Sequence, residues 1–372
     1  MAERYQNYVN GIWSDGSSGA VSTSTNPADL SDVVGEFQAS TASDAGAAID
    51  AAHNVKESWR RTSSLARGGY LLKAASYLEA NLEEFAQMVT RECGKAILEA
   101  RGEIGRAVAL LQYYGVEGSN PVGSVVPSVN PNILLYTNRM PLGVVTLITP
   151  WNFPFAIPIW KMAPALVYGN TIVLKPASAT PGVATLIARM WEAVDLPAGV
   201  FNLITGSGGT VGNELITNDK VAAISFTGST RIGMNIASES AKRGKRYQLE
   251  MGGKNPVIVL PDADLEQAAE ITVSGAMKYS GQKCTATSRA IVVGNVMEEF
   301  TNLVVEKTNA LKIGAGADPQ SIIVPVIDQA SKDNIASMIA RGVADGGSIL
   351  AGGGVPTGAG FDKGTYVEPT VI

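Results

Sequence analysis

Thr171-Ile-Val-Leu174 is a short, largely β-branched run closed by Lys175-Pro176. Similar runs lie at 144–148 upstream and at 200–204 and 222–226 downstream. Each is followed by Gly, Pro, Ser or Thr punctuation and then by a segment of helical periodicity. Strands this short and largely apolar are buried on both faces. Alternating with helices, they predict an α/β fold with a parallel sheet covered on both sides. Further on, 247–251 reads as another strand leading into Gly252-Gly253. Apolar runs at 257–260 and 291–293, with helices over 264–278, 297–311 and 328–345, predict a second α/β layer. Upstream, residues 1–40 alternate short β pieces with the turn signals Asn10-Gly11, Asp15-Gly16 and Gly19, and 43–117 carries the 3.6-residue period. Between them and the first run, 120–141 holds Pro121, Pro127, Pro131 and Pro141, the pattern of an extended arm outside any sheet core.

Composition narrows the chemistry. The 372 residues carry a formal net charge of −5, 45% hydrophobic and 17% charged residues. This excludes a disordered chain and gives no electrostatic basis for a nucleic-acid partner. Two cysteines and one histidine cannot build a Cys₂His₂, Cys₄ or three-His metal centre, so no metal is expected. They exclude a disulfide framework as well, and with no signal-peptide pattern at Met1 they predict a cytoplasmic protein. The uncharged stretch 140–160 is long enough to span a bilayer. Its prolines at 141, 150, 154 and 158 remove donors that a lipid-exposed helix needs, so it reads as a buried strand followed by a compact Pro-rich turn, and no membrane partner is expected. The reaction must then rest on a thiol, carboxylates, amides and a borrowed cofactor.

Parallel sheets bind ligands at the carboxyl ends of their strands. Two turns are candidates there, Gly206-Ser-Gly-Gly-Thr-Val-Gly212 and Phe226-Thr-Gly-Ser-Thr-Arg-Ile-Gly233. Each reads equally as a plain strand-to-helix turn, with Ser229 a helix N-cap. Lys175 is either a solvated strand end or a donor to a ribose. No acidic residue follows it in Ala177-Ser-Ala179, so the pattern leaves room for a 2′-phosphate. Cys93 lies on a helical stretch and reads as an inert buried thiol. Cys284 lies in Ser280-Gly-Gln-Lys-Cys-Thr-Ala-Thr-Ser-Arg289, where small polar neighbours and Lys283 favour thiolate.

Five motifs taken together, Thr149-Pro-Trp-Asn-Phe-Pro154, Leu174-Lys-Pro176, Phe226-Thr-Gly-Ser229, Leu249-Glu-Met-Gly-Gly253 and Gly281-Gln-Lys-Cys284, resemble the aldehyde dehydrogenase superfamily in order and spacing. The resemblance runs over 8–372, and the segment around Cys284 is most similar to 2-oxoglutarate semialdehyde (2,5-dioxopentanoate) dehydrogenases. It implies a Rossmann-like cofactor domain from 1–119 and 142–250, an oligomerisation arm at 120–141 and a catalytic domain from 251 to 372. Cys284 would be the nucleophile, Asn152 an oxyanion donor and Glu250 the base. Glu250 separates the chain from the CoA-acylating branch, so the product would be a free acid. NAD or NADP would be held by Thr149, Pro150, Trp151, Lys175, Ser178, Gly208, Gly212, Phe226, Gly228, Ser229, Met251 and Gly252.

For the aldehyde, the resemblance places Arg106 at the tunnel, with Phe153, Trp160 and Gln112 as further wall candidates. The apolar neighbours Val108, Leu110 and Leu111 suggest a buried or tunnel-facing guanidinium, suited to a distal carboxylate. A semialdehyde acid is therefore expected, with succinate semialdehyde or a simple aldehyde as alternatives. Family members continue beyond Val371-Ile372, so the catalytic domain is expected to be incomplete here, with a homodimer or homotetramer in the full-length form. Two readings of other classes stand beside this one. The first is a silent fragment that only packs against a partner; the second is a cofactor-free cysteine enzyme, which needs His53 beside Cys284.

Overall fold

The computed structural model describes residues 2–358 and 360–372. The chain opens with strands β1 (Arg4–Tyr5), β2 (Asn7–Val9), β3 (Ile12–Ser14), β4 (Val21–Asn26) and β5 (Asp29–Gln38). Four helices follow: α1 (Ala42–Arg61), α2 (Ser64–Ala80), α3 (Leu82–Cys93) and α4 (Ile97–Glu117). A short hairpin of β6 (Val125–Val126) and β7 (Leu135–Tyr136) forms the arm. The alternating block is β8 (Val144–Ile148), α5 (Ala156–Val167), β9 (Thr171–Lys175), α6 (Pro181–Ala193), β10 (Phe201–Leu203), α7 (Asn213–Thr217), β11 (Val221–Gly228), α8 (Thr230–Lys242) and β12 (Arg246–Met251). Beyond it lie β13 (Asn255–Val259), α9 (Leu265–Met277), β14 (Thr287–Val292), α10 (Met297–Asn309) and α11 (Gln329–Ala344).

One sheet of seven strands runs β12-β11-β8-β9-β10-β2-β3. Its first five strands are parallel, and the β2–β3 hairpin closes the edge in antiparallel register through Leu203 and Tyr8. The period of two along β9 divides the core: Ile172 and Leu174 join α2 to α6 on one face, while Val173 joins α1, α7 and α8 on the other. The Thr41–Asp44 capping box starts α1 where it must cross that second face. The order also fixes where a ligand can enter. After β8 the chain moves outward through β9 and β10, then returns to the other side of β8 as β11. The reversal between β8 and β11 opens a crevice at their carboxyl ends.

β13 and β14 pair in parallel, and α9 and α10 pack against them through Val259, Ala269, Val273, Phe300 and Val304. The stretch 140–160 departs from its sequence reading. β8 is buried as expected, but the turn gives way to α5 at Ala156, so Pro158 and Trp160 are helical. Proline is compatible with the first turn, where the N–H groups have no acceptor in the helix. Among the described residues no helix is long and apolar enough to cross a membrane, and no cluster of three or more metal-binding side chains occurs.

Candidate active site

The segment after β8 places Asn152 at the crevice. Its side-chain amide donates from Nδ2 to the Gln282 carbonyl at 2.9 Å, across 130 residues of sequence. Asn152 and Cys284 are thus fastened to one loop. That loop follows α9 in an unusual conformation: Tyr279, Ser280 and Gly281 all have left-handed backbones, with φ of 56°, 52° and 72°. A side chain resists that conformation, so surrounding contacts must hold it. The buried Tyr279 ring, hydrogen bonds between the Ser280 hydroxyl and the Val324 backbone, and a bond from the Ile327 N–H to Gln282 Oε1 at 2.9 Å provide them. Asn255 on β13 adds a further tie, donating to the carbonyls of Cys284 at 2.8 Å and Ala286 at 3.1 Å. The Cys284 thiol is exposed by this arrangement and Cys93 is buried.

Cys284 and Glu250 line one cavity of about 580 Å³, with Trp160, Lys161, Thr227 and Gln248. Glu250 stands at the end of β12 and accepts from Gln248 Nε2 at 2.9 Å. Gln248 Oε1 in turn accepts from Lys161 Nζ at 3.1 Å and from the Ser225 hydroxyl at 2.7 Å. Burial pushes Lys161 down to about 8, partly opposed by the Glu250 charge. Lys161, Gln248 and Asn255 escaped the sequence reading because each has an ordinary sequence neighbourhood. Only the distance from Glu250 to Gln248, an i,i+2 pair on one strand face, was open to inference.

Lys283 does not act on the thiol as its position suggested. Its ammonium pairs with Glu99 at 2.8 Å, so its charge is directed away to α4. His53 sits on α1, where burial and the charges of Lys56 and Lys220 lower its pKa; it is not among the side chains of the Cys284 cavity.

The other candidates cluster at the strand ends. Lys175 is buried, donates to the Pro176 carbonyl at 2.8 Å, and is pushed down to about 8 by burial. The Thr149 hydroxyl is buried and has no hydrogen-bond partner among the described residues. Ser178 is exposed beyond β9, and Gly212 packs beside the Lys175 stem. At Gly208 an added Cβ would meet nothing within 4 Å, so this turn presents bare backbone to the crevice. Gly228 has no such freedom, because a Cβ there would lie 2.5 Å from the Phe226 ring. Ser229 caps α8, accepting from the Ile232 N–H. Met251 packs against Gly233, while Gly252, Pro150 and Trp151 lie on the loops that border the same strand ends.

The aldehyde-side candidates separate. Trp160 lines the cavity, and the Arg106 guanidinium lies 5.6 Å from its ring centroid. Arg106 is exposed rather than buried, because Val108 and Leu111 turn the opposite face of α4 into the core. Phe153 points inward against Tyr279, at 6.4 Å between centroids, and Gln112 is exposed; neither lines the cavity.

The family model described as "Aldehyde dehydrogenase family" matches residues 13–372. The chain is 47% identical over 368 residues to the alpha-ketoglutaric semialdehyde dehydrogenase of Bacillus subtilis, covering 99% of this chain and 75% of that protein. It is 42% identical over 372 residues to the alpha-ketoglutarate semialdehyde dehydrogenase of Haloferax volcanii, covering 100% and 77%. The NAD+ complex of an aldehyde dehydrogenase from Bacillus cereus shares its fold with a TM-score of 0.95 at 33% identity, over 99% of this chain and 74% of that one. With the seven-stranded sheet, the shared Cys284–Glu250 cavity and a family match reaching from Trp13 to the last residue, this chain belongs to the aldehyde dehydrogenase family.

Proposed function

We propose that this chain oxidises a semialdehyde acid of the 2-oxoglutarate semialdehyde type to the free acid, with NAD or NADP as the electron acceptor. The observation that carries the reading is the shared cavity: the Cys284 thiol and the Glu250 carboxylate face one space, and the Asn152 amide is tied two residues before the thiol. The Cys284 thiolate attacks the aldehyde carbon, forming the C–S bond while the carbonyl electron pair moves to oxygen. That oxygen is met by the second N–H of Asn152 Nδ2 and by the Cys284 backbone N–H. A nicotinamide held at the strand ends would supply the hydride acceptor; loss of hydride from the adduct carbon leaves the acyl group on Cys284 as a thioester. Glu250, held by Gln248, takes a proton from water as the water adds to that thioester, and the Cys284 thiolate leaves.

The groups at the strand ends fit the cofactor. Lys175, buried with a single carbonyl partner, has N–H groups to spare for ribose hydroxyls, with Ser178 beside it. Gly208 and Gly212 leave room for the adenine side. Gly228 and Ser229 open α8 toward the pyrophosphate, and its amide dipoles favour an anion. Thr149, Pro150, Trp151, Phe226, Met251 and Gly252 border the nicotinamide half. The missing acidic residue after Lys175 admits a 2′-phosphate, which is why both cofactors are retained. Arg106, stacked on the cavity-lining Trp160, is the anchor for the distal carboxylate. A division into 1–119 with 142–250, 120–141 and 251–372 is part of this reading; the pairing of β13 with β14 apart from the seven-stranded sheet supports it, although Met251 still pairs within that sheet at the end of β12.

Steady-state assays with 2-oxoglutarate semialdehyde, succinate semialdehyde and propanal, each with NAD and NADP, test the proposal through reduced-cofactor absorbance. Cys284→Ala should lower kcat more than about a thousandfold and Glu250→Gln about a hundredfold or more. Arg106→Ala should raise KM for the semialdehyde acids about tenfold and leave propanal unchanged. Turnover surviving in Cys284→Ala overturns the mechanism; equal KM changes for acids and propanal overturn the substrate assignment.

A further inference from the structure

Behind Asn152 the core holds two charges that no step above uses. Lys95 and Glu103 form an ion pair whose side chains are each 1% exposed. Beyond the bond they share, the side-chain hydrogen bonds of the pair among the described residues reach the segment that carries Asn152. Lys95 Nζ donates to the Asn152 carbonyl at 2.7 Å, and Glu103 Oε1 accepts from the backbone N–H groups of Phe155 and Ala156, both at 2.9 Å. The same ammonium lies over two rings, Phe153 at 4.1 Å and Tyr279 at 4.5 Å from their centroids. Phe153 follows Asn152, and Tyr279 begins the left-handed turn that leads to Cys284. One buried cation therefore touches both loops of the site.

From this the geometry points to Lys95 and Glu103 as a positioning pair that sets Asn152 against the Cys284 loop. Burying two charges strips both of water, and apolar side chains of similar volume hold a core at least as well. What apolar side chains lack is direction. Glu103 fixes the first N–H groups of α5, a helix entry without a side-chain cap of its own. Lys95 fixes the Asn152 carbonyl, three residues before the first of those N–H groups, and its position between two aromatic faces limits where that carbonyl can go. With the backbone held at carbonyl and helix entry, the Asn152 amide can reach Gln282 in one orientation, which leaves its second N–H for the oxyanion proposed above. The pair touches no reacting atom and acts through Asn152.

The inference rests on the role proposed above for Asn152, and its test separates the two. Lys95→Met alone strands the Glu103 carboxylate, so the informative variant is Lys95→Met with Glu103→Gln. This removes both charges but keeps an acceptor for Phe155 and Ala156. It is combined with Asn152→Ala in a cycle of kcat values, with thermal melts of every variant. The pair variant should lose about a hundredfold in kcat with KM for cofactor unchanged. Added to Asn152→Ala it should cost no further rate, because its effect passes through that amide. Losses that multiply would show a merely structural role and overturn the inference. A crystal structure of the pair variant decides independently of activity. Loss of the 2.9 Å bond from Asn152 to Gln282 is expected, and its retention refutes the pair's role. Absence of aldehyde turnover in the unaltered protein defeats the proposed function, while that structure still decides the pair.

Discussion

At the scale of residues, a buried lysine with one hydrogen bond is a place where binding and stability oppose each other. Burial pushes Lys175 down to about 8, so the fold disfavours its charged form. Below pH 8 both the folded and the unfolded chain carry the proton, and the desolvation cost is fully present. Between pH 8 and the ordinary lysine range the unfolded chain holds more protons, so stability contributed by this residue rises with pH. Lys175→Met should therefore stabilise the protein at pH 7 by on the order of 1–3 kcal/mol, with the gain shrinking toward pH 10. The same change should weaken NAD or NADP binding about tenfold, through loss of a charge-assisted donor. Thermal melts at the two pH values and a cofactor titration check both halves; a gain equal at pH 7 and pH 10 would speak against the burial account. Cys284, Glu250 and Asn152 were legible as residues because the motifs around them are local in sequence. Lys161 was not, since its tie to Gln248 exists only across α5 and β12, whereas the Gln248–Glu250 pair is local to one strand.

Among elements, the turn from Tyr279 to Gly281 has the largest consequence for its length. Gly281 combines a φ of 72° with an added Cβ position 2.9 Å from the Ala276 carbonyl oxygen. Gly281→Ala should cost about 1–3 kcal/mol and displace the thiol. The checks are a chemical denaturation curve and the rate of Cys284 alkylation by iodoacetamide; unchanged stability and unchanged alkylation would show that the turn tolerates a side chain. Nothing in Tyr279-Ser-Gly signals three left-handed residues in sequence terms, because distant partners, the burial of the Tyr279 ring and the backbone at 324–327, hold them there. The strands were easier. β8 and β9 are largely apolar runs because both faces are covered, and such a run reports burial directly. Helix α5 was hidden by its prolines; Pro158 falls in the first turn, where a helix accepts it, and Pro164 lies inside the helix.

For the whole molecule, the arm is the part that the monomer does not explain. Val125, Leu134, Leu135 and Tyr136 lie exposed on a two-stranded hairpin, too small to be stable on its own. If the arm joins copies of the chain, Leu135→Asp with Tyr136→Asp should halve the mass seen by light scattering, or reduce it further, without lowering the content of secondary structure. An unchanged mass would remove the arm from assembly. Local pattern alone determined the α/β alternation and the motifs that carry the thiol, carboxylate and amide. Those properties depend on neighbours a few residues apart, which any strand or helix brings into register. Tertiary structure alone decided that Lys283 faces Glu99 rather than the thiol, that Arg106 lies outside against Trp160, and that Lys95 and Glu103 stand behind Asn152. The reason is physical: a charge is defined by its nearest partner, and here the partners are set by how helices and loops pack, not by their order along the chain.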